Sequence, residues 1–552
     1  MGDQATPRSF LGSVIDRLAA RSLDLPPETC NFSKSGVTIP LPDNGPVLVA
    51  DLYQPVAREP LGTLLVRTPY SRGMMMAIGS ARVFAARGYQ ILLVSSRGTF
   101  GSEGKFDGGF SEEKDGHGVV EWMRKQSWYT GSFATLGMSY AGFTQWALLA
   151  DPPHDLIASV IIAGPHDYSK HIWGTGAFNM HHLSWSNTIV NQEQGSLVEQ
   201  YKALYPERYL KTVINALPLA QGIDLHFSGV RSAPWLIHAI GHRNISDSTW
   251  SPLQHGQALE KINTPAFLIT GWSDIFLQQT MEQYDKLKAR NCPVKLLIGP
   301  WTHLELQNKT VTRRVLDYLS RQVAGENSVE QGPAVEIGIG GTRPLQWIAL
   351  PIWPPATTPF EFFLGTGGIL RQEPPLPDAK ASSFTFDPLN PTPTLGGPLI
   401  VGGGCLDDTA LTGRADTVAF TTNPLTEPLT IMGKPSVELF HSADCPSVDL
   451  FVRLSVVGDQ GKSHNITQQY QRLNRTEGVM RIHMELLDAA FTVDKGSRLR
   501  LIIGGGSYPM YSRNVGTGEV SENATVARGA CHTIYHGEYG ISKVIVPAVS
   551  SK

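Results

Sequence analysis

The chain of 552 residues is short of charge. Aspartate, glutamate, lysine and arginine make up 17% of it, nearly balanced at 49 acidic against 46 basic, for a net charge of −3. Soluble domains usually hold about 25%. No basic block or stripe occurs, so the electrostatic footprint of a nucleic-acid binder is missing. Long apolar runs are missing too. The longest, Leu156 to Gly164, is under half the roughly 20 residues that cross a bilayer, and no membrane partner is expected. The N-terminus has no basic segment followed by an apolar core, which points away from a secretory leader and toward a cytoplasmic protein. Cysteine is scarce: Cys30, Cys292, Cys405, Cys445 and Cys531 are scattered, with no CxxC or Cys/His ligand spacing. Reduced thiols are expected, and no metal.

Glycine (55) and proline (38) are abundant, so turns are frequent. At roughly 100–200 residues per domain, the length implies two to four domains. TLLVRTPY, YQILLVSSRG, FATLGMS, IASVIIAGP, PAFLITGWSD and VKLLIGPWTH are short, nearly continuous apolar runs that end in polar or glycine residues. Such strands are buried on both faces, as in parallel sheets covered by helices. Helical patterns alternate with them at 81–87, 114–125, 143–150 and 278–289, which predicts an α/β fold with a doubly wound sheet. Between IASVIIAGP and PAFLITGW lie roughly 95 residues without a convincing strand. Helical patches at 191–204 and 207–216 make this stretch an inserted helical cap rather than a crossover. After about Gln346, alternating strands such as PFEFFL, SVELFHS and RLRLIIGG predict an all-β sandwich or jelly roll. The expected division is 1–165 with 256–344, a cap at 166–255, and a β domain at 345–552.

The sharpest motif is Gly137-Met138-Ser139-Tyr140-Ala141-Gly142, a G-x-S-x-G-type elbow with the small pair Ala141-Gly142 at its second glycine. It follows the apolar strand FATL and precedes a helical run, the context a nucleophile elbow requires. A serine hydroxyl attacks only when a base takes its proton. Candidates stand just past two later strands: Asp274 in GWSD and His303 in GPWTH. The order Ser, acid, His suits this fold. For the oxyanion, the elbow supplies the Tyr140 N–H. The lipase loop HGGG is absent, and the first apolar strand ends instead in Arg67-Thr68-Pro69-Tyr70, whose tyrosine hydroxyl can donate a hydrogen bond.

RTPY, SSRGTFGSEGKF, DGHGVVEWMRKQSWYTGSFATLGMSYAG, GWSD, GPWTH, DCPSVDLFVRLSVVGDQG and RLRLIIGGGSYPMYSRN together resemble the cocaine esterase and X-prolyl dipeptidyl-peptidase (CocE/NonD) family of serine hydrolases. The resemblance runs from about residue 35 to about 545. It implies an α/β-hydrolase domain, a helical cap and a C-terminal jelly roll. It further implies Ser139 as nucleophile, His303 as base, Asp274 as its orienting group, and the Tyr70 hydroxyl with the Tyr140 N–H as oxyanion hole. Family members often carry an acidic residue two positions before the arginine of SSRG, where this chain has Ser95.

Within the cap, His166, His171, His181 and His182 lack acidic or cysteine partners at metal spacing. Trp173, Trp185, Phe276 and Trp301 are candidate pocket walls. No cofactor is expected. The expected activity is cleavage of a small-molecule ester or amide through an acyl-enzyme on Ser139. After Asp274 the chain reads Ile275-Phe276-Leu277-Gln278-Gln279, apolar and neutral, which favours an ester with an apolar acyl group over a substrate bearing an ammonium. An Xaa-Pro dipeptidyl-peptidase, an amino-ester hydrolase, and a non-hydrolytic acyl transfer or cyclisation remain alternatives, and a homo-oligomer is left open.

Overall fold

The computed structural model describes residues 5–193, 206–229, 232–326, 332–474 and 478–549. Eleven strands form the first sheet. They are β1 (Thr6–Pro7), β2 (Asn31–Pro40), β3 (Val47–Val56), β4 (Thr63–Thr68), β5 (Gln90–Ser95), β6 (Phe133–Met138), β7 (Leu156–Ile162), β8 (Ala266–Ser273), β9 (Val294–Thr302), β10 (Val335–Ile339) and β11 (Gln346–Leu350). Their spatial order is β1-β2-β3-β5-β4-β6-β7-β8-β9-β10-β11. From β5 to β10 every neighbour is parallel, while β1, β2, β3 and β11 pair antiparallel at the margins. The apolar runs explain this placement: all six residues of β4 and of β5 are buried, because helices cover both sheet faces. Two apolar cores result, one on each face.

The turn between β2 and β3 holds Asp43 and Asn44 at φ 57° and 55°, the left-handed conformations that asparagine and aspartate tolerate. The helices after β5, β6 and β8 span Glu112–Arg124, Tyr140–Leu148 and Leu277–Ala289. A further helix, Lys309–Gln322, follows β9 and was not expected. Its apolar residues Val311, Val315, Leu316 and Leu319 form a stripe at helical spacing among charged neighbours.

Between β7 and β8 the chain forms short helices, among them Tyr168–Trp173, His181–Asn191, Leu219–His226 and Pro234–Gly241. The patch expected over 191–204 lies almost wholly outside the described residues. The patch expected over 207–216 is two single turns, Pro206–Tyr209 and Lys211–Ile214.

Among the described residues the remaining thirteen strands form an all-β domain with its own core. The boundary expected at residue 344 falls inside the first sheet. Strand β11 turns back on β10 in antiparallel register, so that sheet extends to Leu350. Cap and β domain meet in a small apolar cluster, where Ala177 packs with Phe451, Tyr470, Met510 and Tyr511. The architecture is that of an α/β hydrolase with an inserted cap and a C-terminal β domain.

Candidate active site

Ser139 occupies the turn between β6 and the helix Tyr140–Leu148 with φ 60° and ψ −123°. A non-glycine residue rarely adopts this conformation, and the surrounding packing must hold it there. That packing explains the small residues of the motif. A Cβ on Gly137 would lie 2.4 Å from the Ala141 carbonyl oxygen, and one on Gly142 would lie 2.5 Å from Gly164 Cα. Strand and helix approach too closely for any larger residue. The Ser139 N–H donates to the Ile162 carbonyl at 2.9 Å, and its own carbonyl accepts from the Gly142 and Phe143 amides.

Asp274 and His303 follow β8 and β9, at the carboxyl ends of neighbouring parallel strands. His303 Nδ1 lies 2.7 Å from Asp274 Oδ2, and both residues are buried. An ionised carboxylate only accepts, so this contact puts the imidazole proton on Nδ1 and leaves the Nε2 lone pair available as a base. The Phe276 N–H donates to Asp274 Oδ1 at 2.7 Å and fixes the other carboxylate oxygen.

Tyr70 follows β4, and its hydroxyl lies within hydrogen-bonding reach of the Ser139 side chain. Burial raises its pKa above the ordinary value of 10.0, so the phenol stays protonated. The Tyr140 amide is the first of its helix, where backbone N–H groups have no intrahelical acceptor. Its side chain points into the core, and its hydroxyl donates to Glu112 Oε1 at 3.0 Å.

Glu112 was not foreseen in the sequence. It is buried, accepts from Ser96 Oγ at 2.7 Å and pairs with Arg67, beneath the two segments that carry Tyr70 and Tyr140. Ser95 accepts a hydrogen bond from Arg72, which also donates to the Phe100 carbonyl at 3.1 Å and faces the Asp51 carboxylate at 3.7 Å on the adjoining strand β3. The negative charge facing Arg72 therefore comes from Asp51.

Tyr70, Ser139 and His303 line one cavity of about 1410 Å³, enclosed by the sheet, the cap and the β domain. Of the four aromatic residues expected in its walls, only Trp185 lines it. Trp173 is core of the cap: its Nε1–H donates to the Ala239 carbonyl at 2.8 Å, and it packs against Phe178. Phe276 stands behind the imidazole, edge to face with His303 at 5.6 Å between ring centroids. Trp301 packs on Trp347 of β11 at 5.5 Å. Proximity in the chain to GWSD and GPWTH placed the last two near the triad candidates without turning them toward the cavity. The walls missed in the sequence include Met138 and Met180, Met75 and Met76 after RTPY, and Leu395 and Leu399 of the β domain.

His181 also lines the cavity, and among the described residues neither of its ring nitrogens has a hydrogen-bond partner. Burial lowers its pKa to about 4, so it is neutral at physiological pH. Among the described residues no group of three or more His, Cys, Asp or Glu is arranged to hold a metal ion, and no helix is long and apolar enough to cross a membrane.

Residues 44–305 match the X-Pro dipeptidyl-peptidase (S15 family) model, and residues 327–545 match the X-Pro dipeptidyl-peptidase C-terminal non-catalytic domain. A cocaine esterase from Rhodococcus sp. is 25% identical over 573 residues, covering 94% of this chain and 99% of its own. Two solved structures share the fold. An aminopeptidase from a marine sediment archaeon, Thaumarchaeota archaeon, superposes with a TM-score of 0.80 at 20% identity, over 94% of this chain and 96% of its own. An α-amino acid ester hydrolase superposes at 0.78 and 20% identity, over 94% and 97%.

Proposed function

Because the chain belongs to the CocE/NonD-like X-Pro dipeptidyl-peptidase family of serine hydrolases, we propose that it cleaves a carboxylic ester with an apolar acyl group, through an acyl-enzyme on Ser139. His303 Nε2 takes the Ser139 proton as Oγ attacks the ester carbonyl. Asp274 holds the imidazole in the required tautomer and stabilises the imidazolium. The Tyr70 hydroxyl and Tyr140 N–H donate to the oxyanion of the tetrahedral intermediate. The imidazolium then returns its proton to the departing alcohol. Water, deprotonated by the same base, opens the acyl-enzyme to the carboxylic acid and free serine.

The observation that carries this reading is the chemistry of the cavity wall. Around Ser139 stand Met138, Leu136, Ile162, Val66 and Met180, all apolar. Among the described residues the carboxylate in the lining is Asp407, exposed at the β-domain side, where it faces Lys462 at 3.8 Å. A substrate ammonium beside the scissile bond would lose its hydration without gaining a counter-charge, which is costly. An apolar acyl group gains from the same wall.

The test compares p-nitrophenyl esters with Xaa-Pro and α-amino anilides, in the native enzyme and in Ser139→Ala. Expected is ester turnover and fluorophosphonate labelling that Ser139→Ala abolishes. Faster cleavage of Xaa-Pro anilides than of any ester would replace this reading by a peptidase.

A further inference from the structure

The cavity is larger than the chemistry at Ser139 requires. Small-molecule sites commonly occupy about 300–1,000 Å³, and this one holds about 1410 Å³. Part of the surplus lies away from the cap, between the sheet and the helices on one of its faces. Its floor is made by Val66 of β4, Leu93 of β5 and Leu136 of β6. Its walls are Ile78 and Phe84 on one side and Val315 of the helix Lys309–Gln322 on the other. At the far end, Ala19 and Leu23 belong to the N-terminal helix Phe10–Ser22 and the residue that caps it.

Protein interiors are close-packed, and sheet and helix faces normally interdigitate without room for a ligand. Here the backbone itself departs from regular packing. The segment after Tyr70 begins as an α-helical turn, Met74–Ala77, widens into a π-type turn at Ile78–Arg82, and returns to an α-helical turn at Val83–Ala85. Such widened turns recur at functional sites.

The named floor and wall side chains carry no hydrogen-bonding group, and the hydroxyls beside them, Ser22, Ser80 and Thr312, donate to the Ala19, Met76 and Asn308 carbonyls of their own segments. A polar chain entering there would be desolvated without compensation, whereas each methylene gains by leaving water. We infer that this arm receives an extended aliphatic chain of the ester, so that medium- and long-chain aliphatic esters are the substrate class. The inference rests on the reading that Ser139 is the nucleophile of an ester hydrolase.

Two homologous series test it: p-nitrophenyl esters from acetate to laurate, and acetate esters of alcohols from methanol to decanol, below their micelle-forming concentrations. In one series kcat/KM should rise about fourfold per added methylene until the arm is filled. That series also tells whether the acyl or the alkyl chain enters. Val315→Phe fills the arm at a buried position, and Thr312→Phe does so at a half-buried position on the same helix, where folding is less at risk. Each should lower the laurate-to-acetate or decyl-to-methyl ratio at least tenfold. Arg313→Ala, on the exposed side of that helix, should leave the ratio alone. Two flat series, or ratios indifferent to both phenylalanine variants while Ser139-dependent acetate hydrolysis continues, would overturn the inference alone. Acetate hydrolysis that survives Ser139→Ala would instead overturn the reading beneath it.

Discussion

The indole Nε1–H of Trp185 donates to the Tyr70 hydroxyl oxygen at 3.1 Å. One residue comes from the cap, the other from the loop after β4, and the contact ties the phenol oxygen to the cap. With a lone pair of its oxygen engaged by Trp185, the Tyr70 hydroxyl still has its own proton to donate, as the proposed oxyanion role requires. Trp185 is held in turn by its stack on the Tyr140 ring, 5.7 Å between centroids and 18° between planes. Tyr70→Phe is expected to lower kcat for p-nitrophenyl esters by roughly 10²–10³, the usual cost of one oxyanion donor. Trp185→Phe keeps most of the ring and removes the donor, and should cost about tenfold at most. Steady-state kinetics decide this: a Tyr70→Phe enzyme within threefold (about 0.7 kcal/mol) of the native rate would remove the hydroxyl from the mechanism.

The 2.7 Å contact of His303 with Asp274 carries a second expectation. In an Asp274→Asn enzyme the new side chain would present either its amide NH₂ or its carbonyl to Nδ1. The Phe276 N–H already donates to the other oxygen, so the asparagine would turn its carbonyl to that amide and its NH₂ to the imidazole. His303 would then accept at Nδ1 and carry its proton on Nε2, the wrong tautomer for a base. Asp274→Asn should lower kcat by roughly 10⁴ with little change in substrate binding. Burst kinetics would check it: the acylation phase should slow, not the release of acid alone.

Much of this site could be read in the sequence because it depends on local rules. The elbow needs small residues around Ser139, and the strands that end in GWSD and GPWTH are apolar runs that only a doubly covered sheet explains. Long-range terms were harder to see. SHNITQQYQRLN has few apolar residues, yet it is the strand Ser463–Asn474, with Asn465, Gln468 and Arg472 buried. These three meet partners distant in the chain: Asn465 Oδ1 accepts the Leu406 N–H, Gln468 Oε1 accepts from Arg453, and Arg472 reaches Asp449 and Glu522. Polarity was therefore no sign of exposure. The cavity wall was hidden for a similar reason. Trp173 and Trp185 stand twelve residues apart in one segment, but which of them faces Ser139 depends on how the cap helices dock, a tertiary fact without a local signature.

Arg472 is the centre of a buried ionic cluster that joins the β domain to the cap. Its guanidinium donates to Asp449 Oδ1 at 2.8 Å, to Glu522 Oε1 at 3.1 Å and to the Ser512 carbonyl at 2.9 Å. Its backbone N–H donates to Thr175 of the cap, and the Glu522 carbonyl accepts from Ala220. Removing the cation leaves two carboxylates buried, with Arg243 at 3.7 Å from Glu522 as counter-charge for one of them. Arg472→Met should cost about 3–5 kcal/mol in guanidinium denaturation. The triple change Arg472→Met, Asp449→Leu, Glu522→Met removes the stranded charges and should recover most of that. A single variant that loses under about 1 kcal/mol would show the cluster to be far better solvated than its burial implies.

Burial of histidine couples stability to pH. His441 Nε2 and His532 Nδ1 lie 3.1 Å apart in the β domain, where neither residue reaches solvent. Burial lowers their pKa values to about 4 and about 3. Burial does the same to His166 and His255, each to about 4, beside Gln283 and Glu113. An unfolded histidine titrates near 6.5. Between that value and the folded one, the unfolded chain binds more protons, so stability falls as pH falls. The stabilisation is complete above about pH 7 and declines from about pH 6.5 toward pH 4, by at most roughly 3 kcal/mol per group. The melting temperature should drop steeply across that window. In the double variant His441→Leu, His532→Phe the drop should be shallower. Two of these protonation sites are gone, and the phenylalanine that replaces His532 would keep the stack on Phe384. A melting temperature constant between about pH 7 and pH 5 would mean that these imidazoles are hydrated in solution.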